Sequence, residues 1–303
     1  RDSVICVEDR CKEQYYISKI YGIIWIRAGG DSMHIKPFEE LTIQDNFMFQ
    51  KVMRNKRICK ATIERLLDIQ IKDITYLEEE KSVHMNPDSK GIRLDVYVND
   101  VDGTVFNVEM QTTKNMEELV KRVRYYQSII DLHNIEKGQD YTELNDTYII
   151  FICTFPVFTG ELHKYTFRNI CLENHNIELN DGTTKLFLST KGTANDISKP
   201  LHYFLDYVDG KSPADELVLE MDSVVDKVRH SKEWRVEYMT LEMELKRRWK
   251  EGMAEGTAKG RAEGKAEVVL GMLEDKLSLE MIAKYTKLTI EQIKEIGKAH
   301  SLI

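Results

Sequence analysis

The sequence predicts an α/β protein in which a mixed sheet is flanked by helices, with a helical extension at the C-terminal end. Three observations carry this. Apolar residues recur at helical spacing from Phe47 to Leu67. Two alternating runs, Ile92 to Val98 and Val105 to Gln111, are joined by "NDVDG", whose Asp102-Gly103 pair is a strong hairpin signal. A β-branched and aromatic run, "TYIIFICTF", follows a long helical stripe and suits a strand buried on both faces. The resulting order is helix, three strands, helix, strand.

Each element has its own local reason. Phe47, Phe49, Val52, Met53, Ile58, Ile63, Leu66 and Leu67 supply the first helical stripe, with Thr42 or Asp45 as its cap. "IKDITYLEEE" reads as a strand ending in an acidic turn. The hairpin comes after the loop "HMNPDSKG". In "NMEELVKRVRYYQSIIDLH", Leu119, Val123, Tyr126 and Ile130 share one face of a helix. "KYTFRNICLENHNIELNDGTTKLFLST" is β-rich and is expected to extend the sheet. Helices then run from Pro200 to about Lys250.

Beyond that point the composition changes. Glycine recurs every fourth residue in "EGMAEGTAKGRAEGKAE", at Gly252, Gly256, Gly260 and Gly264. Each costs about 1 kcal/mol against alanine in a helix, so an isolated helix is penalised by roughly 4 kcal/mol. The segment is either a charged linker or a helix whose small stripe packs closely on a partner; we read it as the helix. Ser278 and Thr289 read as caps of two short terminal helices, with Glu280 and Glu291 in their first turns. We expect a doubtful extension over residues 1–32, a domain over 33–215, and a helical region over 216–303 containing the glycine-spaced segment 251–267. The extension lacks clear periodicity, whereas Met33 opens a stretch that reads as a natural start.

Composition bounds the function. The chain has 303 residues, 31% of them charged, and a net charge of -8, which repels a polyanion overall. Any nucleic-acid contact must come from a local basic face and be salt-sensitive. Five cysteines without a CxxC pair suit a reducing cytoplasm better than a disulfide framework or zinc site. No run is apolar and long enough for a membrane span. No GxxxxGK[ST] loop supports a nucleotide cofactor, and the eight histidines lack HExxH spacing.

The hairpin carries the chemistry. Asp95 sits in its first strand, while Glu109 and Gln111 share a face of the second because side chains repeat every two residues. Carboxylates are poor strand formers and are rarely buried unpartnered. If the register brings them together, they reach one hard cation such as magnesium, which accepts one or two carboxylates plus water and phosphate. Immediately afterwards come Lys114, Lys121, Arg122 and Arg124, interleaved with Tyr125 and Tyr126. A cationic helix beside an acidic pocket suits a nucleic-acid backbone; the same residues also suit a solvated helix face with Tyr126 in the core.

These segments resemble the PD-(D/E)XK nuclease superfamily, and within it the recombination-promoting nuclease and transposase branch. The resemblance implies a restriction-endonuclease-like core of helix, three strands, helix and strand. It places the metal-binding acids on Asp95 in "RLDV" and Glu109 in "VEMQ", with Gln111 where a lysine usually stands. "KRVRYY", "KGQDYTEL", "TIQDNFMFQKVM" and the glycine-spaced tail are similar to further segments of that branch. The implied protein is a magnesium-dependent DNA endonuclease of a mobile element or recombination system, with manganese as the alternative ion. Its catalytic residues are Asp95, Glu109 and Gln111, the first two being the metal ligands. Its DNA contacts are Lys114, Lys121, Arg122, Arg124 and Tyr126. It is expected to be cytoplasmic and to form a homodimer through the C-terminal region. The alternative is a catalytically weak DNA-binding or assembly factor of a mobile element; both acids being present favours the nuclease. Asp45 could cap its helix or serve as an additional acid.

Overall fold

A computed structural model describes residues 15–17, 24–27, 33–83 and 92–303. It divides into two compact units, Arg1–Tyr238 and Met239–Ile303. The first unit therefore takes in residues beyond the 215 boundary expected from sequence. Most of residues 1–32, and the loop His84 to Gly91, lie outside the described residues. Within the former stretch, β1 (Tyr15–Ile17) and β2 (Ile24–Arg27) pair antiparallel, and β2 pairs with β3 (Met33–Ile35).

The helical stripe at Phe47 forms two helices, α1 (Asn46–Met53) and α2 (Lys56–Leu67). They divide at Asn55, whose side chain accepts hydrogen bonds from the Arg57 and Ile58 amides and restarts the helix. β4 (Ile74–Val83) runs on through the segment read as an acidic turn. β5 (Ile92–Asp100) and β6 (Val105–Gln111) form the expected hairpin. Asp100 accepts from the Asp102 and Thr104 amides, and Gly103 adopts a φ of +88°. A Cβ at Gly103 would also lie 2.9 Å from Asn145 Oδ1, so only glycine fits the turn.

From β6 the chain enters α3 (Met116–Asn134) and returns in β7 (Thr147–Cys153), parallel to β6. The crossover lays the Leu119, Val123, Tyr126 and Ile130 stripe on the sheet, against Ile149, Phe151 and Cys153 of β7. The β-rich stretch supplies β8 (Lys164–Phe167) and β9 (Thr183–Ser189). The sheet order is β4-β5-β6-β7-β9-β8, with β6, β7 and β9 parallel and the other neighbours antiparallel. This mixed sheet flanked by helices is the predicted class. α4 (Lys199–Val208) and α5 (Glu216–His230) follow.

α6 (Lys232–Glu274) contains the glycine-spaced segment, so that segment is helical. A Cβ added at Gly252, Gly256, Gly260 or Gly264 would meet nothing within 4 Å. In the second unit α7 (Leu279–Thr286) and α8 (Ile290–Ala299) bury Ile282 and Ile293 against Val269. Ser278 caps α7, and Thr289 forms a reciprocal capping box with Gln292. Among the described residues no helix is long and apolar enough to cross a membrane.

Candidate active site

The β5–β6 ladder pairs Asn99 with Val105 and continues to Val96 opposite Val108. One further step sets Asp95 across from Glu109, on one face of the sheet. There the carboxylates take over the hydrogen bonding between strands. Glu109 Oε1 accepts from the Asp95 amide at 3.1 Å, and Asp95 Oδ2 accepts from the Met110 amide at 3.1 Å. Both acids are buried, at 6% and 4% exposed. Two like charges so close and so dry disfavour full ionisation. Burial first, and then the Asp95 charge, push the Glu109 carboxyl well above the ordinary carboxylate range. Arg122, the Asp95 amide and Asn107 act in the opposite direction.

Helix α1 holds the other side of Asp95. Asn46 Nδ2 donates to Asp95 Oδ1 at 3.2 Å, and Gln50 Nε2 approaches the same oxygen at 3.5 Å. Spacing by four puts both amides on one helical face. Sequence reasoning passed over them. A signal was present: Gln50 directly follows the apolar "FMF" of "NFMFQKVM", one turn after Asn46.

Gln111 lies one side-chain repeat beyond Glu109 and is fixed at both ends. Its Nε2 donates to the Thr113 carbonyl at 2.9 Å, and its Oε1 accepts from Arg122 Nη2. Asn115 starts α3 by accepting from the Glu118 amide. Arg122 comes seven residues later, about two turns into the helix. Its guanidinium lies 5.2 Å from the Phe151 ring centroid and 5.7 Å from that of Tyr126. Arg122 thus brings a positive charge from α3 to the side of Gln111.

The other predicted residues separate. Lys114 is exposed, and so is Lys121, which pairs with Glu117 at 3.1 Å. Such a surface pair is worth at most about 1 kcal/mol and is readily exchanged for another anion. Arg124 is exposed but lies about 200° around the helix from Arg122, and lines a different pocket. Tyr126, expected to contact DNA, is instead buried in the core between α3 and β7, 6.3 Å from Phe151. Its place on the apolar stripe withdraws it from any surface ligand. Asp45 occupies the cap position of α1 without capping it. Its Oδ2 accepts from the Thr42 amide (2.6 Å), Thr42 Oγ1 (3.2 Å) and Lys36 Nζ (2.7 Å).

The donor set fits a hard divalent cation. Two buried carboxylates raise each other's cost of ionisation, and a cation held by both removes that repulsion. Among the described residues no group of three or more His, Cys, Asp or Glu side chains could hold an ion. An ion here would complete its shell from water and phosphate, the usual habit of magnesium. The neighbouring Cys153 thiol, pushed up to about 12 by burial, is a soft donor unsuited to a hard cation.

A family model described as PD-(D/E)XK nuclease family transposase matches residues 45–196, half of the chain. That span begins just before Asn46 and takes in Asp95, Glu109, Gln111 and Arg122. No curated protein and no solved structure matches the chain.

Proposed function

Because the chain belongs to the PD-(D/E)XK nuclease family transposases, we propose that it is a divalent-metal-dependent endonuclease acting on the DNA of a mobile element or recombination system. The observation that carries this reading is the buried Asp95–Glu109 pair, with Glu109 held above its ordinary range by Asp95 and by burial. A structural acid pair of this kind costs stability; a cation-binding pair turns the same repulsion into affinity.

In this reading Asp95 and Glu109 hold magnesium, or manganese in its place. The ion supplies Lewis-acid polarisation of the phosphoryl group and a more acidic water at neutral pH. Asn46 and Gln50 fix the orientation of Asp95. Gln111, secured by Arg122 and the Thr113 carbonyl, keeps one N–H and one lone pair for orienting the attacking water. Arg122 stabilises charge developing on the phosphate from beside the acids, in the role a lysine on β6 would otherwise fill. Lys114 and Lys121 contact the flanking backbone. The protein acts in the cytoplasm on DNA, without a nucleotide cofactor, as a homodimer joined through its C-terminal region.

Covalently closed plasmid tests this directly. Nicked circles and linear product in magnesium, and none in chelator, are the expected result. Degradation confined to DNA with free ends would replace the endonuclease with an exonuclease.

A further inference from the structure

We propose that the pocket between α3 and the β8–β9 edge receives an unstacked nucleobase of the bound DNA, with Arg124 and Lys185 at its rim taking adjacent phosphates. The proposal rests on the reading of the chain as a DNA enzyme and names a feature of the substrate it recognises.

The pocket measures about 320 Å³, the lower end for a small-molecule site and room for one heteroaromatic ring with its sugar outside. Its wall is aromatic. Phe158 lies 5.0 Å from Phe167 and 5.2 Å from Phe187, measured between ring centroids, and Phe167 meets Phe187 edge-on at 5.8 Å. Phe158 and Phe167 are 43% and 42% exposed, although large aromatic rings are ordinarily withdrawn from water. Phe158 also has a φ of +45°, a left-handed conformation that a bulky residue rarely adopts. The turn that contains it is closed by the Gly160 amide donating to the Val157 carbonyl at 2.7 Å, and it sets the ring against Phe167 and Phe187 with one face open to the pocket.

Gln127 supplies the polar observation. It lines the pocket and is 9% exposed. Its Nε2 donates to Asp131 Oδ1 at 2.8 Å, which fixes the amide orientation and leaves Oε1 as the other end. That oxygen is buried and has no hydrogen-bond donor among the described residues. An acceptor of this kind suits the exocyclic amino group or ring N–H of a base, and an aliphatic side chain offers it nothing. Arg124 and Lys185 bring positive charge to the rim, where Lys185 also donates to Thr183 Oγ1 at 2.7 Å and faces Asp131 and Asp181.

The position relative to the acids agrees. Glu109 of β6 pairs in register with Phe151 of β7, and Phe151 with Phe187 of β9. The pocket wall therefore begins two strand spacings from Glu109, about 10 Å across the sheet. This distance corresponds to roughly three steps along one DNA strand. α3 lies over β7 between the two, so a strand that serves both passes over that helix, and only a base turned out of its stack enters the pocket.

The test uses the full chain carrying Asp95→Asn, in chelator, so that binding is read without cleavage. Three labelled duplexes are compared by fluorescence anisotropy: one with a single bulged base, one with an abasic bulge at the same place, and one fully paired. We expect the bulged base to bind about tenfold tighter than the abasic bulge, within the range for one base–aromatic contact. Phe158→Ala and Phe167→Ala, each removing a partly exposed ring, should abolish that preference. Equal binding of the three duplexes, or a preference that survives both substitutions, overturns the proposal. Failure to bind any of them overturns it too. A doubled mass in light scattering that Phe158→Ala halves would assign the pocket to a second copy of the chain instead. Failure of the nuclease reading is seen separately, as wild-type protein that leaves DNA uncut in magnesium.

Discussion

Replacing Glu109 by glutamine removes a titration that the fold itself distorts. The unfolded carboxyl ionises near 4.5, and in the folded protein burial and Asp95 raise it well above that value. Between the two values the folded state keeps a proton that the unfolded state has released. Stability therefore falls as pH rises through that window, with a slope approaching about 1.4 kcal/mol per pH unit. Glu109→Gln lacks this loss, so the metal-free variant should be more stable than wild type near neutrality, and the difference should vanish below pH 4. Magnesium should act in the opposite sense. At a hundred times its dissociation constant a ligand stabilises by about 2.7 kcal/mol. For a unit of 238 residues that is roughly 5–10 °C in melting temperature. Thermal melts of both proteins across a pH series, in chelator and in magnesium, measure each quantity. If magnesium raised the melting temperature of Glu109→Gln as much as that of wild type, or wild-type stability gained on the variant with rising pH, the carboxylate argument would be wrong.

Three further outcomes follow from the same geometry. Gln111→Lys restores the lysine of the wider superfamily, yet it sets an ammonium against the Arg122 guanidinium; cleavage should fall by about fivefold, on the order of 1 kcal/mol of like-charge repulsion, and Arg122→Gln in the same chain should recover it. Tyr126→Phe should leave DNA affinity unchanged in anisotropy because the ring is buried, whereas Tyr126→Ala should cost about 3–5 kcal/mol in a denaturant melt. A chain ending at Lys250 should scatter as a monomer where the full chain scatters as a dimer, since Gly252, Gly256, Gly260 and Gly264 leave a stripe of α6 open to close approach.

Local chemistry made some of the fold legible. The Asp102-Gly103 turn, the apolar stripe of α3, the β7 run and the caps at Ser278 and Thr289 depend on neighbours within a few residues, and each is where the sequence puts it. Period-two alternation together with the hairpin was enough to bring Asp95 toward Glu109. What escaped were contacts made between distant segments. The amides on Asp95 come from residues 45 and 49 positions earlier, and no local pattern says which strand α1 will touch. The bond from Arg122 to Gln111 depends on where α3 begins after β6, which Asn115 decides. Tyr126 sits in both a basic run and an apolar stripe, and packing decided for the stripe. β1 and β2 are only three and four residues long, too short for alternation to register. Asp45 shows the limit from the other side. Its backbone is at the cap position, but Lys36 and Thr42 offer its carboxylate stronger partners than the helix amides.

The central claim is that Asp95 and Glu109 together make the chain a metal-dependent nuclease. Its most direct test is cleavage of supercoiled plasmid by wild type, Asp95→Asn and Glu109→Gln purified in parallel, each with magnesium, with calcium and with chelator. Wild type should nick in magnesium alone, and neither variant should nick at all, with all three proteins folded by circular dichroism. Nicking that persists in a folded Asp95→Asn or Glu109→Gln protein, or that continues in chelator, would contradict it.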